Sequence, residues 1–144
     1  MKQLKSSTML EACKYQKPSA FSRGMSVKLK MDTEMIFISG TASVGENGDT
    51  LYKGNFKKQT KRMFENITAL LKNGGITWKN VIKTTIYLRD IDRDYEEFNV
   101  IRKDFYDKMG LSIYPASVCV EAKLCRNDLL VEMELIAIKD ETVQ

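Results

Sequence analysis

Two stretches of helical periodicity, each flanked by runs that alternate with the period of a strand, decide what this chain can fold into. In the first, Phe56, Met63, Phe64, Ile67, Leu70 and Leu71 keep three- and four-residue spacing, while Lys57, Lys58, Lys61 and Arg62 fill the other face. Asn73-Gly74-Gly75 supplies a left-handed stop. The second is expected over residues 94–109, with Tyr95, Phe98, Ile101, Phe105 and Met109 as its apolar stripe, Asp92 or Asp94 as its cap and Gly110 at its end. Ahead of them, Met25, Val27 and Leu29 alternate with Ser26, Lys28 and Lys30, and a turn at Asp32-Thr33 leads to a second strand over 35–39. A β-rich run at 81–88 separates the helices. Two more strands follow at 117–123 and 130–138, joined by the polar turn Arg126-Asn127-Asp128.

The order is β-β-α-β-α-β-β, an α+β chain in which both helices pack on one face of one sheet. No internal repeat, low-complexity tract or linker divides its 144 residues, so one domain is expected over 18–139, with an N-terminal extension at 1–17 and a tail at 140–144. The extension is polar and irregular, and Pro18 closes it. Only the helix-covered face must be apolar throughout, which makes the other face the place to look for chemistry. On the strands after the first helix, Lys83, Thr85 and Tyr87, then Ser117, Cys119, Glu121 and Lys123, then Glu132 and Glu134 are read onto that open face, opposite Val118, Val120, Val131 and Met133. A face that mixes polar and apolar groups in this way is expected to be covered by self-association.

Composition closes several routes. With His 0 there is no Ser-His-Asp or Cys-His pair and no imidazole-ligated metal. Lys+Arg at 23 against Asp+Glu at 19 leaves +4, spread along the chain, with none of the clustering a nucleic-acid partner asks for. Cys13, Cys119 and Cys125 form no CxxC, so neither a disulfide framework nor a zinc knuckle is indicated. Lys2 and Lys5 lead into Ser6-Ser7-Thr8 and not into an apolar run, and no stretch is long and apolar enough to span a bilayer. A cytoplasmic protein with no membrane partner is expected.

Four constellations carry candidate chemistry. Cys119, placed between Glu121 and Glu132, is either a pocket wall or a small buried hydrophobe, the commoner fate of a free cysteine. Glu132 and Glu134 share one strand face, where paired carboxylates can raise a pKa for general acid or base work, or simply balance Lys83 and Lys123. Ser39-Gly40-Thr41-Ala42-Ser43 leaves its strand as a run of small residues whose N–H groups and hydroxyls suit a carboxylate or carbonyl oxygen, or form an ordinary loop. Phe21-Ser22-Arg23 sets an aromatic face beside a guanidinium, a pair suited to a planar carboxylate and also common on plain surfaces. Three other features are set aside: Gly74-Gly75 lacks a phosphate-loop context, Asn66-Ile67-Thr68 lies within a helix, and Lys57-Lys58-Lys61-Arg62 is a solvated helix face.

Taken together, the chain resembles the RidA/YjgF superfamily, also called endoribonuclease L-PSP, over about residues 18 to 139. The matching stretches are Ile36-Phe37-Ile38-Ser39-Gly40, Gln59 through Glu65-Asn66-Ile67, the run at 81–88, Phe98-Asn99, Pro115-Ala116 with Cys119-Val120-Glu121, and Val131-Glu132-Met133-Glu134 with Ala137. The resemblance implies a chorismate-mutase-like fold, a homotrimer and ligand clefts between subunits. It also implies hydrolysis of reactive enamines and imines to 2-keto acids and ammonia without metal or organic cofactor. By the same resemblance Gly40 and Thr41 bind substrate oxygen, Glu132 orients the attacking water, Asn99 and Cys119 line the pocket, Ser39 joins the oxygen-binding segment, and Phe21 stands where the family usually has Tyr.

One position departs. Where the family carries an Arg after Pro-Ala to grip the substrate carboxylate, this chain has Ser117. A neutral hydroxyl in place of a charged bidentate donor costs on the order of 2–4 kcal/mol of transition-state binding. Arg23 is the expected substitute cation, and Phe21-Ser22-Arg23 with Ser39-Gly40-Thr41-Ala42-Ser43 also resembles the chorismatase branch, whose substrates are rich in carboxylates. The expected function is a cofactor-independent hydrolase or lyase acting on a small carboxylate-bearing ligand. Its alternative is a catalytically silent ligand-binding or regulatory trimer. RNA cleavage follows only from the family's older name and finds no histidine or basic patch here.

Overall fold

The computed structural model describes the backbone of residues 2–4, 24–30 and 32–140, with side chains over 26–29 and 32–140. The strands are β1 (Lys2–Leu4), β2 (Gly24–Lys30), β3 (Thr33–Ala42), β4 (Val81–Leu88), β5 (Ala116–Glu121) and β6 (Val131–Asp140). Helix α1 (Phe56–Asn73) lies between β3 and β4, and α2 (Ile91–Lys108) between β4 and β5. The sheet runs β1-β2-β3-β6-β4-β5, antiparallel throughout except for the parallel β4–β5 pair. This is the expected α+β architecture, with one addition: β1 falls inside the segment read as irregular and pairs with β2 at the sheet edge.

Both helices form where their apolar spacing demands, and local caps set their ends. The Asn55 side chain accepts from Lys58 N at the start of α1, and Gly75, at φ +72°, lets the chain turn away after it. Helix α2 starts earlier than expected. Asp90, not Asp92 or Asp94, caps it by accepting from Arg93 N, which leaves those two carboxylates in the first turn, where the helix dipole favours them. Of the expected stripe of α2, Tyr95 and Met109 are exposed, and the buried face is Phe98, Ile101 and Tyr106. Phe64 of α1 sits at the centre of the core. Its ring stacks on Phe105 at 4.2 Å and meets Trp78 edge-on at 5.6 Å.

Two polar residues of the α1 motif have structural duties. Gln59, fully buried, donates to Tyr52 O and Asp128 O and accepts from Leu130 N, tying the segment before β6 to the helix. Asn66, also buried, donates to Ala42 O and Val44 O, both at 2.9 Å, and so pins the chain where it leaves β3. Asn66→Ala is expected to cost about 1–3 kcal/mol, because buried carbonyls lose their donor. A denaturant midpoint measured at matched protein concentration checks this.

The sheet faces carry a correction. Residues Thr84, Ile86 and Leu88 of β4 and Val131, Met133 and Leu135 of β6 point into the helix-covered core as alternation predicts. Parallel pairing sets Ser117 beside Thr84 and Cys119 beside Ile86, so these two also point to the helix side. Val118 and Val120, read as core, lie on the open face and are 45% and 39% exposed. The inversion arises because β5 is an edge strand, where apolar valines mark the uncovered face and not the core. Ile82, which alternation would place with Thr84 and Ile86, is exposed, because a register shift between Val81 and Lys83 lets Val81 take the inward place.

Candidate functional site

The residues singled out in the sequence gather into two clusters, one on each face of the sheet. The first lies on the open face, where β3, β6 and β4 run side by side. Pairing of β3 with β6 slips between Ile38 and Thr41, so Ser39 and Gly40 sit in an irregularity of the ladder. Such bulges re-aim backbone groups beside binding sites. The Glu132 carboxylate lies directly over Gly40, where any larger residue would drive its Cβ into Glu132 Oε1. Glu134, one residue pair along the strand, accepts a hydrogen bond from Tyr87 Oη at 3.2 Å. Burial, followed by the charge and hydrogen bond of Glu134 and the charge of Glu132, pushes the Tyr87 phenol above its ordinary pKa. Phe37, Ser39, Lys83, Thr85, Glu134 and Ile136 line a cavity of about 260 Å³ beside them.

Thr41 does not present its hydroxyl to this face. It is fully buried, and its Oγ1 donates to Ser39 O at 2.8 Å, which braces the irregularity from the core side. The expected contact of its hydroxyl with substrate oxygen is therefore not offered on this face. Gly40→Ala tests the closeness of Glu132. The clash falls on the end of a flexible side chain, so the fold should hold, while the displaced carboxylate should cost at least about tenfold in kcat. Steady-state kinetics beside a thermal melt separates the two effects.

The second cluster lies at the β5 edge, against α2. Thr84 Oγ1 donates to Ser117 Oγ at 3.2 Å, and Arg102 Nη1 donates to the same oxygen at 3.0 Å. Arg102 Nη2 donates to Asn99 Oδ1 at 2.6 Å, and its guanidinium lies 5.2 Å from the centre of the Phe98 ring. Cys119 packs partly buried against the main core. Burial raises its thiol pKa, and the nearby Arg102 charge pulls the other way. Deeper still, burial pushes the Tyr106 phenol up to about 12, again against the pull of Arg102. Raising the pKa lowers the thiolate fraction, which counts against Cys119 as a nucleophile.

Arg102 is the residue that sequence reading missed. It sits among the charged positions of an amphipathic helix, where one Arg looks like any other. The available signal was its three-residue spacing from Asn99, together with the missing Arg at position 117. The predicted substitute, Arg23, and its companion Phe21 lie outside the described residues.

Within one chain the clusters stay apart. Ser117 on β5 and Gly40 on β3 are three strand spacings away, about 14 Å, and the Ser117 side chain leaves the face opposite the one where Glu132 covers Gly40. Cys119 and Glu132, read as neighbours on one face, are likewise separated by the sheet. Among the described residues no group of three or more His, Cys, Asp or Glu is placed to hold a metal ion, and no helix is long and apolar enough to cross a membrane.

Comparison with known proteins places this geometry. The family model described as endoribonuclease L-PSP matches residues 17–139. A RutC family protein of Pyrococcus abyssi is 35% identical over 105 residues, covering 73% of this chain and 79% of that protein. The 3-aminoacrylate deaminase RutC of Acinetobacter baylyi is 30% identical over 103 residues, covering 72% of this chain and 78% of its own. The crystal structure of E. coli TdcF with bound serine superposes with a TM-score of 0.78 at 23% identity, over 97% of this chain and 100% of that one. The chain therefore belongs to the RidA/YjgF superfamily, the endoribonuclease L-PSP family.

Proposed function

We propose that this protein is a small-molecule hydrolase that releases ammonia from enamines or imines bearing a carboxylate. The observation that carries the reading is the Glu132 carboxylate resting on Gly40 at the β3 irregularity, which sets a general base against a re-aimed stretch of backbone. Family membership and a relative named as a 3-aminoacrylate deaminase support it. In the imine tautomer of 2-aminoacrylate, a water held by Glu132 adds to the C=N carbon as the carboxylate takes its proton. The carboxylate hands that proton to the nitrogen to complete the carbinolamine, whose hydroxyl proton then moves to the nitrogen as the C–N bond breaks, so that ammonia leaves and pyruvate remains. Ser39 and Gly40 serve the substrate oxygen, and the chain's own groups carry every step without metal or organic cofactor.

Because the two clusters lie on opposite faces of one chain, the cleft is completed between copies. In a homotrimer the β5 edge of one subunit, with Ser117, Cys119 and Asn99, meets the Gly40 and Glu132 face of the next. The exposed Val118 and Val120 supply apolar surface for such contact. Phe21 and Arg23 belong to the same reading as further ligand contacts, and a reducing cytoplasm is the setting in which the free thiols persist.

Ser117 in place of an Arg favours a second reading, a trimer that binds ligand without turning it over. Release of ammonia and keto acid from enzymatically generated 2-aminoacrylate, and of ammonia from 3-aminoacrylate, separates the two. Acceleration by the wild type is expected. Silence from both the wild type and Ser117→Arg overturns the hydrolase and leaves the binding protein.

A further inference from the structure

We propose that Arg102, Asn99 and Ser117 form a carboxylate clamp, with the cation delivered from helix α2 and not from strand β5. The two hydrogen-bond partners of the Arg102 guanidinium are neutral, Asn99 Oδ1 and Ser117 Oγ, and its face rests against Phe98. Among the described residues no carboxylate pairs with it, whereas Arg62, Arg93, Lys53 and Lys103 each have an acid within salt-bridge reach. A guanidinium carries five N–H donors. Two are engaged by these acceptors, so three stay available in a fixed plane, the arrangement that reads a planar carboxylate in bidentate fashion.

The neighbours complete a set of donors. Ser117 Oγ accepts from both Thr84 and Arg102, which engages its lone pairs and leaves its own proton to donate outward. Asn99 turns its carbonyl oxygen to Arg102, so its amide N–H groups face away from that bond. Cation, hydroxyl and amide therefore offer donors at one place, beside the Cys119 wall. A site of donors with a single unpaired positive charge takes a small monoanion. Thr84 is fully buried, so the hydroxyl that steers Ser117 is itself anchored in the core. The short side chain at 117 has a positive role here: it leaves room for a guanidinium arriving from the helix and gives it an acceptor to rest on.

The clamp rests on the hydrolase reading only for what happens at the ligand's other end, so the test reads binding and turnover separately. Binding is followed on the full-length protein by isothermal titration, with pyruvate as the probe and hydroxyacetone as its counterpart without a carboxylate. The wild type should bind pyruvate and bind hydroxyacetone at least about tenfold more weakly. Arg102→Ala should weaken pyruvate binding about 10–100-fold and leave hydroxyacetone unmoved, and Arg102→Lys should recover only part, since an ammonium lacks the planar fork. In the double variant Arg102→Ala with Ser117→Arg, the cation returns to the strand and pyruvate binding should come back. Thermal melts establish that each variant is folded.

Pyruvate binding within about twofold in wild type and Arg102→Ala overturns the clamp, as does equal affinity for pyruvate and hydroxyacetone, or no pyruvate binding by the wild type. Turnover without Arg102-dependent binding leaves the hydrolase standing and removes the clamp. Arg102-dependent binding without turnover does the reverse.

Discussion

Glu132→Gln is expected to lower kcat for imine hydrolysis by about 10²–10⁴-fold, the range of a positioned general base, with KM changed far less. The amide keeps the size and much of the hydrogen bonding of the carboxylate over Gly40, but it cannot take a proton from water. Glu134→Gln is the informative companion. Glu134 is exposed and already receives the Tyr87 hydroxyl, so its loss should have the smaller effect. Ammonia release under saturating substrate, with both variants folded, checks the pair. Equal rates for wild type and Glu132→Gln would remove Glu132 from the chemistry and, with it, the observation that carries the proposed function.

The second large effect falls on stability. Phe64 is 1% exposed and lies in ring contact with Phe105, Trp78, Phe98 and Tyr106, which join α1 to α2 and to the segment entering β4. Phe64→Ala removes the ring at the centre of that group and is expected to cost about 3–5 kcal/mol. A domain of this size has about 5–15 kcal/mol in total, so the variant should unfold at a much lower denaturant concentration and accumulate poorly. Chemical unfolding at matched protein concentration checks this, because stability that includes assembly depends on concentration. A shift under about 1 kcal/mol would mean that the aromatic group is not the keystone its contacts suggest.

These two predictions draw on different layers of the sequence. The aromatic centre was legible from spacing alone: Phe64, Phe98 and Phe105 fall on apolar stripes, and burial of those stripes follows from periodicity. The helix stops at Gly75 and Gly110 were legible too, since both glycines adopt the left-handed conformation expected of them. The start of α2 was harder, because Asp90, Asp92 and Asp94 are all competent caps and only backbone geometry chooses among them.

The site was legible in its parts and illegible in its grouping. Gly40 and Glu132 were each singled out, as members of separate constellations, and only the fold brings the two together. The facing of Ser117 and Cys119 was misread because alternation reports only which residues share a face. It does not say which of the two faces is covered, and on an edge strand the apolar residues can lie on the uncovered one.

By itself, then, the sequence determined the class of fold, the order of elements from β2 onward, most residues of the core and the absence of histidine chemistry, since all of these depend on spacing and residue type along the chain. Tertiary structure decided which residues share a site. The β4–β5 register turned Ser117 toward α2, and one turn of that helix carried Arg102 to it. A hydrogen bond between residues fifteen positions apart depends on strand register and helix rotation together, and neither is written in the periodicity of a single segment.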